Sequence, residues 1–205
     1  MTAISRNATN TLFTTKNMAK IAILSAVSAV LMLLEFPLPI APSFYKMDFS
    51  EVGVLIGGFA LGPTAAIVIE ALKILIKFLL KGSFTMGVGE LSNFIIGCAM
   101  CVPAAMIYKK EKTRKNALIG LCVGTVCMTV IGVVMNYFVA IPAYVAIAHY
   151  PLDVIISMGA AIFPFIKNTF QLVIACVTPF NLIKGVLVSI VTCLLYKHVS
   201  PLLKR

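Results

Sequence analysis

The stretch Thr178-Pro179-Phe180-Asn181-Leu182-Ile183-Lys184-Gly185 decides how this chain is read. Thr178 reads as a helix N-cap and Pro179 as the first helical residue, because a cap oxygen takes up a free backbone N–H and proline has none to lose there. The apolar run that follows, to about Tyr196, has the length of a bilayer crossing. Asn181 and Lys184 are three residues apart, which puts them on one face within the first two turns. An amide and an ammonium side by side near a membrane surface are costly unless something polar pairs with them. The spacing predicts a binding site at this end of the helix.

The rest of the 205-residue chain sets that helix in a membrane. It is 60% hydrophobic and 12% charged, with a mean hydropathy of +1.04. Such values exclude an ordinary soluble domain and indicate one compact, all-α integral membrane domain. Apolar runs near 18–36, 52–62, 63–80, 84–108, 117–141 and 178–197 read as a six-helix transmembrane bundle, its second helix short and parted from the third by Gly62-Pro63. The segment 142–177, broken by Gly159, Pro164 and Lys167, reads as a long last outer loop with re-entrant or interfacial helices. The domain organisation expected is a cytoplasmic tail over 1–16, the membrane domain over 17–199 and a short tail over 200–205. The first apolar run is too long for a signal-peptide core, so no cleaved leader is expected.

Charge sets the orientation. Seventeen Lys and Arg oppose seven Asp and Glu. Eleven of the cations fall in three groups: Arg6, Lys16 and Lys20; Lys109, Lys110, Lys112, Arg114 and Lys115; Lys197, Lys204 and Arg205. Six helices bring all three groups to one side, which the positive-inside rule makes cytoplasmic together with both termini. Seven helices would split them. Because the cations flank membrane spans, the basic balance predicts no nucleic-acid partner; the partner is the lipid bilayer.

Catalytic and metal signals are thin. Cys98-Ala-Met-Cys101 has CxxC spacing, but it lies in an apolar helix without a nearby histidine and reads as core packing. His149 and His198 fall on opposite sides of the membrane, so no metal site is expected. No phosphate-binding glycine loop occurs, and the chain by itself cannot use ATP. Gly87 and Glu90 sit at the start of the fourth helix, where free N–H groups either hold a ligand oxygen or only cap a turn. Glu70, Lys73 and Lys77 share a face of the third helix; Glu70 and Lys73 are deep enough to pair with each other, whereas Lys77 and Lys81 can reach the outer interface, and a role in substrate or partner contact is the alternative.

Three prolines stiffen the first outer loop, Phe36-Pro-Leu-Pro-Ile-Ala-Pro-Ser-Phe-Tyr-Lys-Met-Asp48. Phe44, Tyr45 and Lys46 place aromatic surface beside a cation, which suits a lid over a flat ligand; an interfacial aromatic belt is the alternative. Asn136, near the outer end of the fifth helix, is expected beside Asn181 and Lys184. Together they would offer amide and ammonium donors at one depth, suited to a planar heterocycle with carbonyls and ring nitrogens; a helix-bridging asparagine is the competing account. Ala22, Ala26 and Ala29 form a small-residue seam on the first helix, fit for close helix approach.

Taken together, Phe36-Pro-Leu-Pro39, Lys46-Met-Asp-Phe-Ser50, Gly58-Phe-Ala-Leu-Gly-Pro63, Gly89-Glu-Leu-Ser-Asn-Phe94, Asn136-Tyr137 and Thr178 to Gly185 resemble the substrate-binding S components of energy-coupling factor vitamin transporters, above all the riboflavin-specific ones. The resemblance runs from about residue 17 to 198. It implies a six-helix bundle in the cell membrane that binds riboflavin from outside as cargo, with no cofactor and no covalent chemistry. It implies docking on a shared transmembrane subunit driven by two cytoplasmic ATPases, with Ala22 and Ala26 matching the family's docking seam. It also implies that Asn136, Asn181 and Lys184 contact the isoalloxazine ring beneath a lid formed by the first loop. Thr178, Phe44, Tyr45, Lys46, Asp48, Gly87 and Glu90 are further candidate contacts on the reading of the residues alone. Alternatives are an S component for thiamine, pantothenate or folate, and a self-sufficient secondary transporter, against which no matching halves are seen. An intramembrane enzyme is disfavoured by the lack of a catalytic group with a convincing base.

Overall fold

The computed structural model describes residues 14–83, 85–147 and 149–204, with side chains up to Tyr196. Most of the tail expected over 1–16, and the side chains of the tail expected over 200–205, lie outside the described residues. In chain order the elements are α1 (Thr15–Leu33), β1 (Phe36–Pro37), β2 (Lys46–Met47), α2 (Glu51–Leu61), α3 (Pro63–Lys81), α4 (Val88–Lys110), α5 (Arg114–Met135), α6 (Ile141–Ala146), α7 (Leu152–Ala160), α8 (Thr169–Leu172) and α9 (Thr178–Lys204). A π turn, Asn136–Ala140, joins α5 to α6, and a second, Val173–Val177, joins α8 to α9.

Among the described residues, four helical stretches are long and apolar enough to cross a membrane: Thr15–Leu33, Val88–Lys110, Arg114–Ala146 and Thr169–Tyr196. Helix α2 is apolar but short, and α3 has 19 residues yet carries Glu70, Lys73, Lys77 and Lys81. Exposed Ile23, Val126, Val130, Ile190 and Leu194 give the bundle an apolar outer surface, which only a lipid or protein partner accommodates. The α2–α3 break falls where the sequence predicts it. Gly62 has φ +104°, a conformation that costs any other residue strain, and Pro63 opens the next helix.

The two π turns correct the reading of Thr178. Its backbone N–H bonds back to Val173 O, so it lies inside a continuous helical segment beginning at Thr169 and is not an N-cap. Ile141 bonds to Asn136 O in the same five-residue pattern. Each turn ends two residues before a proline, Pro142 or Pro179. Proline inside a helix lacks an N–H and crowds the carbonyl a turn earlier; widening that turn relieves the crowding without ending the helix. As a result both helices run further than expected, and the segment expected as a loop over 142–177 shrinks to what lies between α6 and α8, with α7 within it.

Helices α4 and α5 approach closely because Gly120 and Gly124 face the backbone of Ala104 and Met100; a Cβ on Gly120 would stand 2.8 Å from the Ala104 carbonyl oxygen. One apolar core, including Leu55, Ile69, Met100 and Met128, fills the space between α2, α3, α4 and α5. A second, including Met47, Ile155, Leu172 and Phe180, packs the first loop against α7, the second π turn and α9. Antiparallel pairing of Phe36 with Met47 and Pro37 with Lys46 closes residues 38–45 into a strap over that core.

Candidate functional site

A cavity of about 330 Å³ lies beneath the strap, lined by α1, α3, α4, α5 and α9 as well as the strap itself. That volume is at the small end of the range for small-molecule sites. Asn136, Asn181 and Lys184 all line it, as do Phe44, Tyr45, Lys46, Asp48 and Glu90. Thr178 and Gly87 do not. The Thr178 hydroxyl bonds to Val173 O at 3.4 Å within the π turn, and Gly87, with φ +89°, serves the turn before α4, where its N–H bonds to Ser83 Oγ at 2.9 Å.

The polar wall is built on helical registers that the π turns set. Asn136 is the first residue of its π turn and is 5% exposed. Its amide nitrogen donates to Gly132 O at 2.8 Å, and its carbonyl oxygen accepts from Tyr45 at 2.7 Å. Burial pushes the Tyr45 phenol well above its usual pKa, so the group stays protonated and acts as the donor. Asn181 crosses close to Gly132, where a Cβ would collide with its amide nitrogen. That nitrogen is buried and has no hydrogen-bond partner. Leaving a buried amide donor unpaired costs about 1–3 kcal/mol, so this nitrogen is a donor open to an acceptor.

Lys184 is buried and ion-paired with Asp48 at 3.0 Å and with Glu51 at 3.5 Å. Aromatic rings close the other side: Phe44 lies 4.4 Å from Tyr45 and 6.4 Å from Tyr144, and Tyr45 lies 5.8 Å from Phe180, centroid to centroid. The arrangement offers a ring-stacking wall facing a wall of amide and ammonium donors, which is the recognition chemistry of a flat, polar-edged heterocycle. At the start of α4, Glu90 accepts from Ser83 at 2.7 Å and from Thr85 at 3.3 Å, keeping its carboxylate at the cavity edge.

The cavity mouth carries a different cluster. Glu35 pairs with Lys81 at 2.6 Å, Lys46 at 3.0 Å and Lys77 at 3.5 Å. Burial alone would raise the Glu35 pKa, but the bonds to Lys81 and Lys46 and the nearby charge of Lys77 hold it at about 2. Lys77 and Lys81 thus share one carboxylate with Lys46, which ties the strap to Glu35.

Sequence reasoning missed Glu51, Ser92 and Asn93, all of which line the cavity. Glu51 was discoverable: a carboxylate three residues after Asp48, opening an apolar helix, demands a partner. The expected Glu70–Lys73 pair forms at 2.7 Å, with Lys73 reaching Glu51 at 3.5 Å. On α1, Ala22 and Ala26 lie on the exposed face with Ile23 and Val27, whereas Ala29 is 1% exposed and faces the bundle. Ala29 belongs to the inward stripe of Ser25, Ser28 and Met32 instead.

A family model described as ECF transporter, substrate-specific component matches residues 16–196. The riboflavin transporter FmnP of Bacillus subtilis is 34% identical over 191 residues, covering 93% of this chain and 95% of that protein. The riboflavin transporter RibU of Staphylococcus aureus is 34% identical over 192 residues, 93% of each chain. RibU of Lactococcus lactis is 30% identical over 188 residues, covering 86% of this chain and 89% of that one. Among solved structures, the S component of a bacterial ECF transporter superposes with a TM-score of 0.71 at 32% identity, covering 92% of this chain and 97% of that one.

Proposed function

The chain belongs to the family of ECF transporter substrate-specific components, and from that premise we propose that it captures riboflavin in the cavity beneath the strap. It is an integral plasma-membrane protein, a transport subunit for riboflavin uptake and not an enzyme. The vitamin is its cargo, and the transmembrane and ATPase module of the family supplies the energy.

One observation carries the site assignment. Asn136, Asn181 and Lys184 come from two different helices to line one cavity, and the buried Asn181 amide there has no partner. The isoalloxazine ring offers carbonyl oxygens and ring nitrogens along one edge and an apolar edge opposite. The polar edge meets the three donors; the apolar edge packs on Phe44 and Tyr45. The ring displaces Tyr45 from the Asn136 carbonyl or slides beside it, and Lys46 on Glu35 holds the strap shut over the bound vitamin. A ligand without matching acceptors leaves the donors unpaired in a dry site, which is how such a wall discriminates.

The orientation follows from charge. The basic groups at Lys16 and Lys20 and at Lys109 to Lys115 lie on the cytoplasmic side, the cavity opens outward, and both termini are inside. On this reading α3 and short α2 complete six spans, with one membrane domain over 17–199 between tails 1–16 and 200–205. Exposed Ala22 and Ala26 form the seam for the transmembrane subunit, which works with two ATPases. Riboflavin titrated into the detergent-purified protein should lose its fluorescence on binding, and Asn181→Ala should weaken that binding about tenfold. An Asn181→Ala protein with unchanged affinity overturns the assignment.

A further inference from the structure

A lysine ammonium has three N–H donors. One of those of Lys184 donates to Asp48 Oδ2 at 3.0 Å, and the ammonium is also ion-paired with Glu51 Oε1 at 3.5 Å, two carboxylates from one short segment. The remaining oxygen of each carboxylate is tied by the residue between them. The Ser50 backbone N–H donates to Asp48 Oδ1 at 2.8 Å, and the Ser50 hydroxyl donates to Glu51 Oε2 at 2.6 Å. Behind Glu51 the same Oε1 faces Lys73 at 3.5 Å, and Lys73 pairs with Glu70 at 2.7 Å. Ser50, Glu70 and Lys73 are 0% exposed and Glu51 is 5% exposed. Neither Glu70 nor Lys73 lines the cavity.

This geometry does more than neutralise a buried charge, for which Asp48 alone would suffice. The second carboxylate, clamped at its far oxygen by Ser50 and backed by Lys73, fixes the direction of the ammonium as well as its charge. With the ammonium held between the two carboxylates, donor capacity is left for the cavity that Lys184 lines. We infer that Glu51, locked by Ser50 and backed by Lys73, is a positioning residue for ligand recognition: it holds the Lys184 ammonium so that one N–H points at the ring acceptor of the vitamin. This rests on the reading that Lys184 contacts the flavin. It adds that the segment from Asp48 to Glu51, where the strap runs into α2, forms the seat of that contact.

The test is a double-mutant cycle on riboflavin affinity, read by flavin fluorescence quenching on the full chain in detergent. The set comprises Ser50→Ala, Glu51→Gln and Lys184→Met, with each of the first two also combined with Lys184→Met. Glu51→Gln is expected to weaken binding about tenfold, and Ser50→Ala by a smaller factor because it removes one hydrogen bond and no charge. Both losses should vanish in the Lys184→Met background, since both act through that ammonium; residues that only hold up the fold would give additive losses. Additive losses, or wild-type affinity in Glu51→Gln, would overturn the inference. Should Glu51→Gln not fold, the Ser50→Ala cycle decides on the same criterion. Wild-type affinity in Lys184→Met alone would break the underlying reading, an outcome distinct from a weak Lys184→Met with additive partners.

Discussion

Two clusters of lysines and carboxylates serve one cavity, and they differ in almost everything except their chemistry. At the mouth, Glu35 gathers Lys46, Lys77 and Lys81, and two of those lysine side chains are 41% and 37% exposed. At the floor, Asp48, Glu51 and Glu70 face Lys73 and Lys184, and no side chain is more than 9% exposed. Ion pairs reached by water contribute about 0.2–1 kcal/mol each and weaken with salt. Sealed pairs contribute little net stability against an apolar substitute, yet removing one partner strands a charge at a cost of about 3–5 kcal/mol. The mouth is therefore suited to fastening and releasing a strap, and the floor to holding one ammonium still. The difference shows that burial, more than distance, decides what an ion pair can do.

The largest effect expected lies at the floor. Lys73→Met leaves the buried Glu70 without its counter-ion beside Glu51, which keeps only Lys184, and should lower the thermal unfolding midpoint steeply, as befits a loss of about 3–5 kcal/mol. A midpoint close to wild type would show that the floor network is slack and would erase the contrast. Next comes Asn181→Ala, which should cost about tenfold in riboflavin affinity while leaving thermal stability nearly unchanged, because its amide is unpaired before the ligand arrives.

Effects at the mouth should be smaller and of another kind. Glu35→Gln should shift stability by no more than about 1 kcal/mol, but hydrogen exchange across residues 36–47 should quicken as the strap loosens. In the wild type, added salt should quicken the same exchange, while the floor stays insensitive. A strap unmoved by Glu35→Gln would assign its closure to the β1–β2 pairing and the Tyr45–Asn136 bond instead.

The smallest effect is a pH dependence. The Glu35 pKa is depressed in the folded protein, from an ordinary 4.5 to about 2. Its contribution is therefore fully present above about pH 4.5 and is lost as pH falls from there toward 2. Strap exchange should be flat through neutral pH and rise only on acidification across that window. A rise near neutral pH would point to another group.

Much of this was legible in the chain. Asn181 and Lys184 declare themselves because polar groups at helical spacing in an apolar run have no bland partner, and Gly62-Pro63 marks the α2–α3 break by backbone sterics alone. The extent of α9 was not legible: Thr178-Pro179 carries the local chemistry of a helix start, and only the π turn before it shows that the helix runs through. The same turn geometry before Pro142 hid how far α5 continues through its π turn into α6. Ala29 was misplaced because its spacing fits the seam of Ala22 and Ala26, while the α1 packing turns it inward. Glu51 escaped because its partners, Lys73 and Lys184, come from helices that only the tertiary fold brings together.

The most direct test of the account is the visible absorption spectrum of the protein purified from a membrane grown with riboflavin, with flavin fluorescence measured after denaturation. The account predicts a flavin spectrum at near one vitamin per protein, lost in Lys184→Met. A colourless protein that also leaves the fluorescence of added riboflavin unquenched would contradict it.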